Sequence, residues 1–483
     1  MLIALAILLG TVYGLIIAVI PSIGITTGLV ALYPFVGYLI SLGDPYLGIV
    51  FLMSVVAAGN TGDCYSSVLL GIPGSTASAA TVVDGFPLAR HGLATFALSA
   101  AIFASTLNGI LWGILVFAFL PFYSKLVLVF GIPELWAFAL LAFSAVTFVS
   151  SRSWIKSLIA LALGLFLGSI GIDPNTAADR NTFGWNYLAD GIQLIPLMAG
   201  LFAIPEIVDG LKSRIATQST ASNNHRQTVL GMLAVIKNWK LSIRGGVIGA
   251  IVGVLPGMGG SVVDWLAYGQ TVATTPNPKI QFGKGNIRGV IGPESANNVQ
   301  KATSMLPTVL FGIPGAGFAA VLIALFMYMG FEMGSPSLIY DQRFFNSLFV
   351  GFLASTVLVG MFCLIFTKYI AKIAQVPYIY YFPMLIVIVT WASVQYTGGW
   401  QDYVILILCS VLGFVCKTYK FSRPALLIGF ILSERMENLT LQLTSIYNLD
   451  MLVNRPIFMT IVCMTLCILV WGILFNKNKI DYA

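Results

Sequence analysis

Val68-Leu-Leu-Gly-Ile-Pro-Gly74 and Val309-Leu-Phe-Gly-Ile-Pro-Gly315 differ at one position, lie 241 residues apart, and each sits inside an apolar stretch. Proline removes a backbone donor and glycine permits non-helical dihedrals, so a helix running through either copy must break there. A second pair of segments repeats at nearly the same spacing. Tyr13-Gly-Leu-Ile-Ile-Ala-Val-Ile-Pro21-Ser-Ile-Gly24 aligns with Ile248-Gly-Ala-Ile-Val-Gly-Val-Leu-Pro256-Gly-Met-Gly259, 235 residues on, and Tyr33 then falls on Tyr268. The chain therefore reads as two related halves with a small insertion. Paired halves that each carry Gly/Pro-interrupted apolar segments point to a secondary transporter.

Composition sets the medium. Of the 483 residues 58% are hydrophobic and 9% charged, where a soluble domain has about a quarter charged. About a dozen apolar runs are long enough to cross, or partly cross, a bilayer core of roughly 30 Å. Residues 2–20 lack the basic start and small-residue cleavage site of a signal peptide and belong to the repeat, so they read as mature structure. The net charge of +7 is no nucleic-acid signal, because the basic residues sit in a few loops without interleaved aromatics. The cysteines Cys64, Cys363, Cys409, Cys416, Cys463 and Cys467 read as small apolar side chains, and with two histidines in the chain no metal set or cofactor is expected.

Charge also orders the crossings. The polar stretch 206–244, with Lys212, Arg214, Arg226, Lys237, Lys240 and Arg244, reads as a cytoplasmic linker. Alternating the apolar runs outward from it leaves Lys125, Arg180, Arg343, Arg435 and Arg455 as the basic residues outside. The first Gly-Ile-Pro-Gly segment is followed by Arg90 on the inside, the second by Glu332 and Asp341 on the outside. Equivalent segments thus end on opposite sides. The expectation is an all-α polytopic membrane protein of two inverted-topology repeats, residues 1–207 and 245–483, joined by the linker 208–244. Broken or re-entrant helices would meet at the bilayer midplane.

The candidate site follows from the breaks. Non-helical backbone at membrane depth is tolerated where it is buried in protein or lines a watery cavity. The residues after each break, Ser75-Thr-Ala-Ser78 and Ala316-Gly-Phe-Ala319, would begin half-helices whose free N–H groups suit a carboxylate. Gly71, Pro73, Gly74, Ser75 and Thr76 at the first break, with Gly312, Pro314, Gly315 and Ala316 at the second, are therefore substrate-binding candidates. Polar clusters precede both breaks: Asn60, Thr61, Asp63, Ser66 and Ser67 in one half, and Glu294, Asn297, Asn298 and Lys301 in the other. Of these, Asn60, Thr61, Ser66, Ser67, Asn297 and Asn298 are further substrate-binding candidates. The bland alternatives are kinked helices without a ligand and polar loops at the surface. A carboxylate at membrane depth is by default a functional residue. Asp63 and Glu294 are accordingly candidates for ion coupling, either to Na⁺ through acidic oxygens or to H⁺ by protonation. The carbonyls around Pro21 and Gly24, and around Pro256, Gly257 and Gly259, are the fallback ion site. Pro256 to Gly260 also fits the tip of a re-entrant hairpin.

No Gly-x-Ser-x-Gly elbow or P-loop stands in a strand-to-helix context, so an enzyme is not expected. The other classes weighed are a membrane-embedded enzyme acting on a lipid-like substrate and a passive channel.

These motifs resemble the large permease subunit of the tripartite tricarboxylate transporter family. The family's Gly-x-x-x-Gly-x-x-Pro-Gly-x-Gly motif is similar to Gly249 through Gly259, and its break leading into Asp-Gly-Tyr-Pro is similar to Asp84-Gly-Phe-Pro87. The run Pro293-Glu-Ser-Ala-Asn-Asn298 before Gly-Ile-Pro-Gly is its most specific signature. The resemblance covers nearly the whole chain. It implies a bacterial inner-membrane, ion-driven importer of a carboxylate, working with a periplasmic binding protein and a small membrane subunit. This sequence departs from the family at Ala18 and Ser22, in the run Gly62-Asp-Cys-Tyr-Ser-Ser67, and at Lys301, where a small residue is typical.

Overall fold

A computed structural model describes residues 1–20, 24–41, 43–75, 78–127, 130–149, 153–173, 178–212, 224–255, 260–374, 376–394 and 399–475. The described chain is almost wholly helical. The first half runs through α1 (Leu2–Val19), α2 (Gly24–Ala31), α3 (Tyr33–Ser41), α4 (Pro45–Gly62), α5 (Cys64–Leu70), α6 (Ala79–Leu88) and α7 (Ala94–Val127). It continues with α8 (Ile132–Val149), α9 (Trp154–Gly168), a two-stranded pairing of β1 (Gly171–Ile172) with β2 (Asp179–Arg180), α10 (Leu194–Met198) and α11 (Ile204–Lys212).

The second half opens with α12 (His225–Lys237), α13 (Trp239–Val254), α14 (Gly260–Ala273), α15 (Arg288–Thr303), α16 (Met305–Phe311), α17 (Gly317–Tyr328) and α18 (Pro336–Ile339). It closes with α19 (Gln342–Ile365), α20 (Thr367–Ala374), α21 (Phe382–Val394), α22 (Gln401–Thr418), α23 (Arg423–Ile446), α24 (Leu449–Val453) and α25 (Pro456–Phe475). Among the described residues six helical stretches are long and apolar enough to cross a membrane alone, and α2 with α3 forms a further candidate bent by 46°. Most of the expected polar linker is helical: α12 packs on α7, and α13 begins at Trp239, before the expected boundary at 245.

The repeat read in the sequence recurs as packing. α1 crosses α4 at glycines: a Cβ on Gly10 would lie 2.5 Å from the Phe51 carbonyl oxygen, and one on Gly14 the same distance from that of Val55. α13 crosses α15 in the same way: a Cβ on Gly245 would lie 2.6 Å from the Gly292 carbonyl oxygen, and one on Gly249 the same distance from that of Ala296. The glycines are related by the 235-residue offset and their partners by 241. Small residues let helix backbones touch where lipid supplies no hydrophobic drive for association.

The halves also interlock. α19 lies along α4 through Gly351, and α7 lies along α15 through Gly109. Each half thus lends a long helix to the other's central one. Around this centre α9 packs on α23 through Gly164, Gly168 and Gly429, and α22 packs on residues 199–203 through Gly413 and Gly200.

The ionic contacts sort by the faces that the charge map gives their residues. One set joins Arg343 to Asp44, Arg180 to Glu437 and Arg455 to Glu134. The other joins Lys417 to Glu206 and Asp209, and Arg423 to Glu206. Among the described residues no ion pair links one set to the other. The charge map put the first set outside and the second inside.

Candidate functional site

α15 is a helix that lipid would not tolerate on its surface. It carries Glu294, Ser295, Asn297, Asn298, Gln300, Lys301 and Thr303, yet every residue from Gly289 to Thr303 is buried. Lone buried charges cost several kcal/mol, so such a helix persists only with polar surroundings. α4 supplies part of them: it is buried from Leu47 to Gly62, and its last turn brings Asn60 and Thr61 to α15. Asn298 Nδ2 donates to Thr61 Oγ1 at 3.0 Å and to the Ser105 carbonyl at 3.3 Å. Asn297 Nδ2 reaches the Asn60 carbonyl at 3.5 Å and Asp63 Oδ1 at 3.4 Å.

At the first break α5 ends on Gly71 in the left-handed region, φ 68°, which glycine adopts without a Cβ penalty. The chain doubles back until Gly74 lies against Asp63, where a Cβ would come within 2.6 Å of the Asp63 carbonyl oxygen. Ser67 Oγ accepts from the Gly74 N–H at 3.4 Å, and Ser75 Oγ donates to Asp63 Oδ2 at 2.6 Å. The Asp63 carboxylate therefore faces the break.

The second break repeats this frame. α16 ends on Gly312, φ 63°, and a Cβ on Gly315 would come within 2.7 Å of the Ser304 carbonyl oxygen. Thr308 Oγ1 accepts from the Gly315 N–H at 3.1 Å. Ser304 stands where the first half has Asp63, so this break lacks that carboxylate. Two cations approach instead. Arg435, from α23, donates to the Met333 carbonyl at 3.2 Å and packs against Gly312. Lys301 Nζ lies 5.5 Å from the centroid of the Phe318 ring and donates to Gln300 Oε1 at 2.7 Å.

Glu294 is buried on α15 and meets the helix after the first break: its Oε1 accepts from Thr81 Oγ1, on α6, at 2.7 Å. Three residues further along α6, Asp84 is buried and organises backbone from the other half. Its Oδ1 accepts from the N–H groups of Gly283, Gly285 and Asn286 at 2.8–3.0 Å, and its Oδ2 from Tyr268 Oη at 3.0 Å. It holds the loop that leads into α15. Asp264 of α14 is 1% exposed. Among the described residues Asn60 Oδ1, Asp264 Oδ1, Glu294 Oε2, Asn297 Oδ1, Asn298 Oδ1 and Gln300 Nε2 have no hydrogen-bond partner. Proteins pair nearly all such buried atoms, so this group of polar atoms is the candidate place for a ligand.

The sequence candidates are thus brought together. Asn60, Thr61, Asp63, Ser66, Ser67, Glu294, Asn297 and Asn298 are buried together beside Gly74, on helices or, for Asp63, at the junction of two, whereas Ser75 and Gly71 are half-buried in the break and Pro73 is exposed. Gly312, Pro314, Gly315 and Ala316 form the matching break, with Ala316 as the N-cap of α17. At the first break the new helix begins at Ala79, later than expected. Pro21, Thr76, Pro256, Gly257 and Gly259 lie outside the described residues, while Gly24 opens α2.

Several residues escaped sequence reading. Asp264 stands alone as a charge in an apolar run after the Pro256 segment, a signal that should have flagged it. Arg435 lies more than a hundred residues from either break and gave no signal. Asp84 was noticed only as part of a motif.

No solved structure matches. The chain is 28% identical over 442 residues to an uncharacterized 52.8 kDa protein in the TAR-I ttuC' 3' region of Agrobacterium vitis, an alignment spanning 89% of this chain and 84% of that one. It is 30% identical over 193 residues to an uncharacterized protein in the TAR-II ttuC' 3' region of the same organism, covering 39% of this chain and 78% of the relative. Residues 4–428 match the tripartite tricarboxylate transporter TctA family. With that match over most of its length and several apolar helices able to cross a bilayer, the chain is a multi-pass membrane transporter component and belongs to the TctA family.

Proposed function

We infer that this chain is the large permease subunit of a secondary importer of small organic acids in a bacterial inner membrane. It works with a periplasmic binding protein that delivers the acid and with a small membrane subunit, and it draws on a Na⁺ or H⁺ gradient. One observation carries the reading: two broken helices, one from each half, enclose a buried polar cluster to which both halves contribute. Secondary transporters place substrate and coupling ion at discontinuous helices between repeats. Among the described residues each ion pair joins groups that the charge map put on the same face, which supports the inverted orientation of the halves.

The test is uptake of labelled citrate and succinate into proteoliposomes holding the chain with its two partner subunits, with and without an imposed Na⁺ or pH gradient. Accumulation above the external concentration, only with a gradient, is expected. Equilibration without accumulation would make the chain a passive channel instead. Orientation is read separately by single-cysteine labelling with an impermeant reagent, where Arg90→Cys and Asp341→Cys should label from opposite faces.

A further inference from the structure

The two breaks share a frame but differ in charge, and the difference assigns them different ligands. At the first, the Asp63 carboxylate is held toward the break by Ser75. A second carboxylate brought to that half-helix would be repelled at short range in a medium that screens poorly. At the second, the equivalent position is Ser304, and donors gather. Lys301 is 5% exposed, and among the described residues its Nζ has one hydrogen-bond partner, Gln300 Oε1. No carboxylate among them lies within 4 Å of it, although Asp264 and Asp63 act on its charge from further off. Gln300, fully buried, has its Nε2 donor unpartnered among the described residues.

The ammonium lies beside Phe318, in the first turn of α17. The earliest bonds of that helix run from Ala319 and Ala320 to the Ala316 carbonyl, leaving the Gly317 and Phe318 N–H groups ahead of the ladder. There is open space beside Gly317: a Cβ there would meet nothing closer than Thr26 Oγ1 at 3.9 Å.

We propose that Lys301 Nζ, Gln300 Nε2 and the N-terminal N–H groups of α17 form a subsite for a carboxylate of the substrate, and that the first break, with Asp63, serves the coupling cation. A charged donor, a neutral donor and a helix N-terminus together suit a planar anion. The assignment rests on the reading of the chain as an organic-acid transporter, and it divides between the breaks a task that sequence symmetry alone would have given to both.

The experiment uses the purified full chain in nanodiscs. Thermal unfolding is followed against citrate, succinate and their methyl esters at fixed Na⁺, and then against Na⁺ at fixed citrate. The free acids should raise the midpoint and the esters should not. Lys301→Met should weaken the apparent acid affinity by about ten- to a hundredfold, as expected for a lost charged hydrogen bond. Lys301→Arg should keep most of the affinity, and Asp63→Asn should displace the Na⁺ dependence rather than the acid dependence. Parental acid affinity in Lys301→Met, equal protection by esters, or loss of acid binding in Asp63→Asn each overturns the assignment.

Should Lys301→Met not be recovered from the membrane, the test passes to Lys301→Arg, which must bind, and Gln300→Leu, which must lose about tenfold. If no acid protects the parent chain, the organic-acid reading fails. The subsite is then judged by sulfate, which must protect the parent and not Lys301→Met, and absence of that protection removes the subsite as well.

Discussion

Gly74 lies against the backbone of Asp63, and Gly315 lies against that of Ser304, at nearly the same approach and with a hydroxyl accepting from each glycine N–H. The helices before them both end on a left-handed glycine. What differs is the lining. The first break holds a carboxylate bonded to Ser75; the second has a serine in that place, with Lys301 and Arg435 near by. A duplicated frame preserves backbone geometry because every close contact in it must be kept at once. Side chains lining the gap are free to diverge, and here they diverge in sign of charge.

The largest effect should come from breaking the shared frame. Gly74→Leu and Gly315→Leu would each drive a side chain into main chain that cannot move aside, so uptake should be abolished in both. The strain should cost about 1–3 kcal/mol of stability, as overpacking commonly does. Uptake is compared at equal membrane levels, and a variant transporting normally would reduce its break to a kink.

Next come the carboxylates. Asp63→Asn and Glu294→Gln should shift the ion concentration for half-maximal uptake by about tenfold or more, the scale of one charged ligand, with a smaller change in substrate affinity. Initial rates against Na⁺ and against pH decide this. Parental ion dependence in both variants would move the coupling ion elsewhere, to the backbone carbonyls of the Pro21 and Pro256 segments.

Asp84→Asn sharpens the comparison from outside the breaks. An amide is a weaker acceptor for the three N–H groups leading into α15, so unfolding stability should fall by about 1.5–3 kcal/mol. Asp84→Ala should fall further. A stability unchanged in both would mean the loop is held by other contacts.

The smallest effects belong to the hydroxyl caps. Thr308→Val and Ser67→Ala should each cost about 0.5–1.5 kcal/mol, with Thr308 the larger because its bond to the glycine N–H is shorter, 3.1 Å against 3.4 Å. The reverse order in chemical denaturation would show that the two frames are less alike than their geometry.

Much of this was legible in the chain. Proline and glycine act on their own backbone, so the breaks at 71–74 and 312–315 could be read locally. The polar runs before the breaks could likewise be marked as costly in lipid. Reading failed where partners are distant. The start of α6 at Ala79 and the helical character of residues 225–237 were missed, because packing on neighbouring helices outweighs a polar composition.

The sequence by itself determined the class and the duplication: apolar runs exclude a soluble fold, and a repeat with matched glycines allows one helix crossing to be built twice. Only the tertiary structure decided which charges meet. Burial of α15, the closure of Asp84 over a loop two hundred residues away, the arrival of Arg435 at Gly312 and the turn of Lys301 toward Phe318 all depend on contacts between segments far apart in the chain. Coulomb and hydrogen-bond energies depend on distance in space and on local dielectric, and neither is set until the helices have packed.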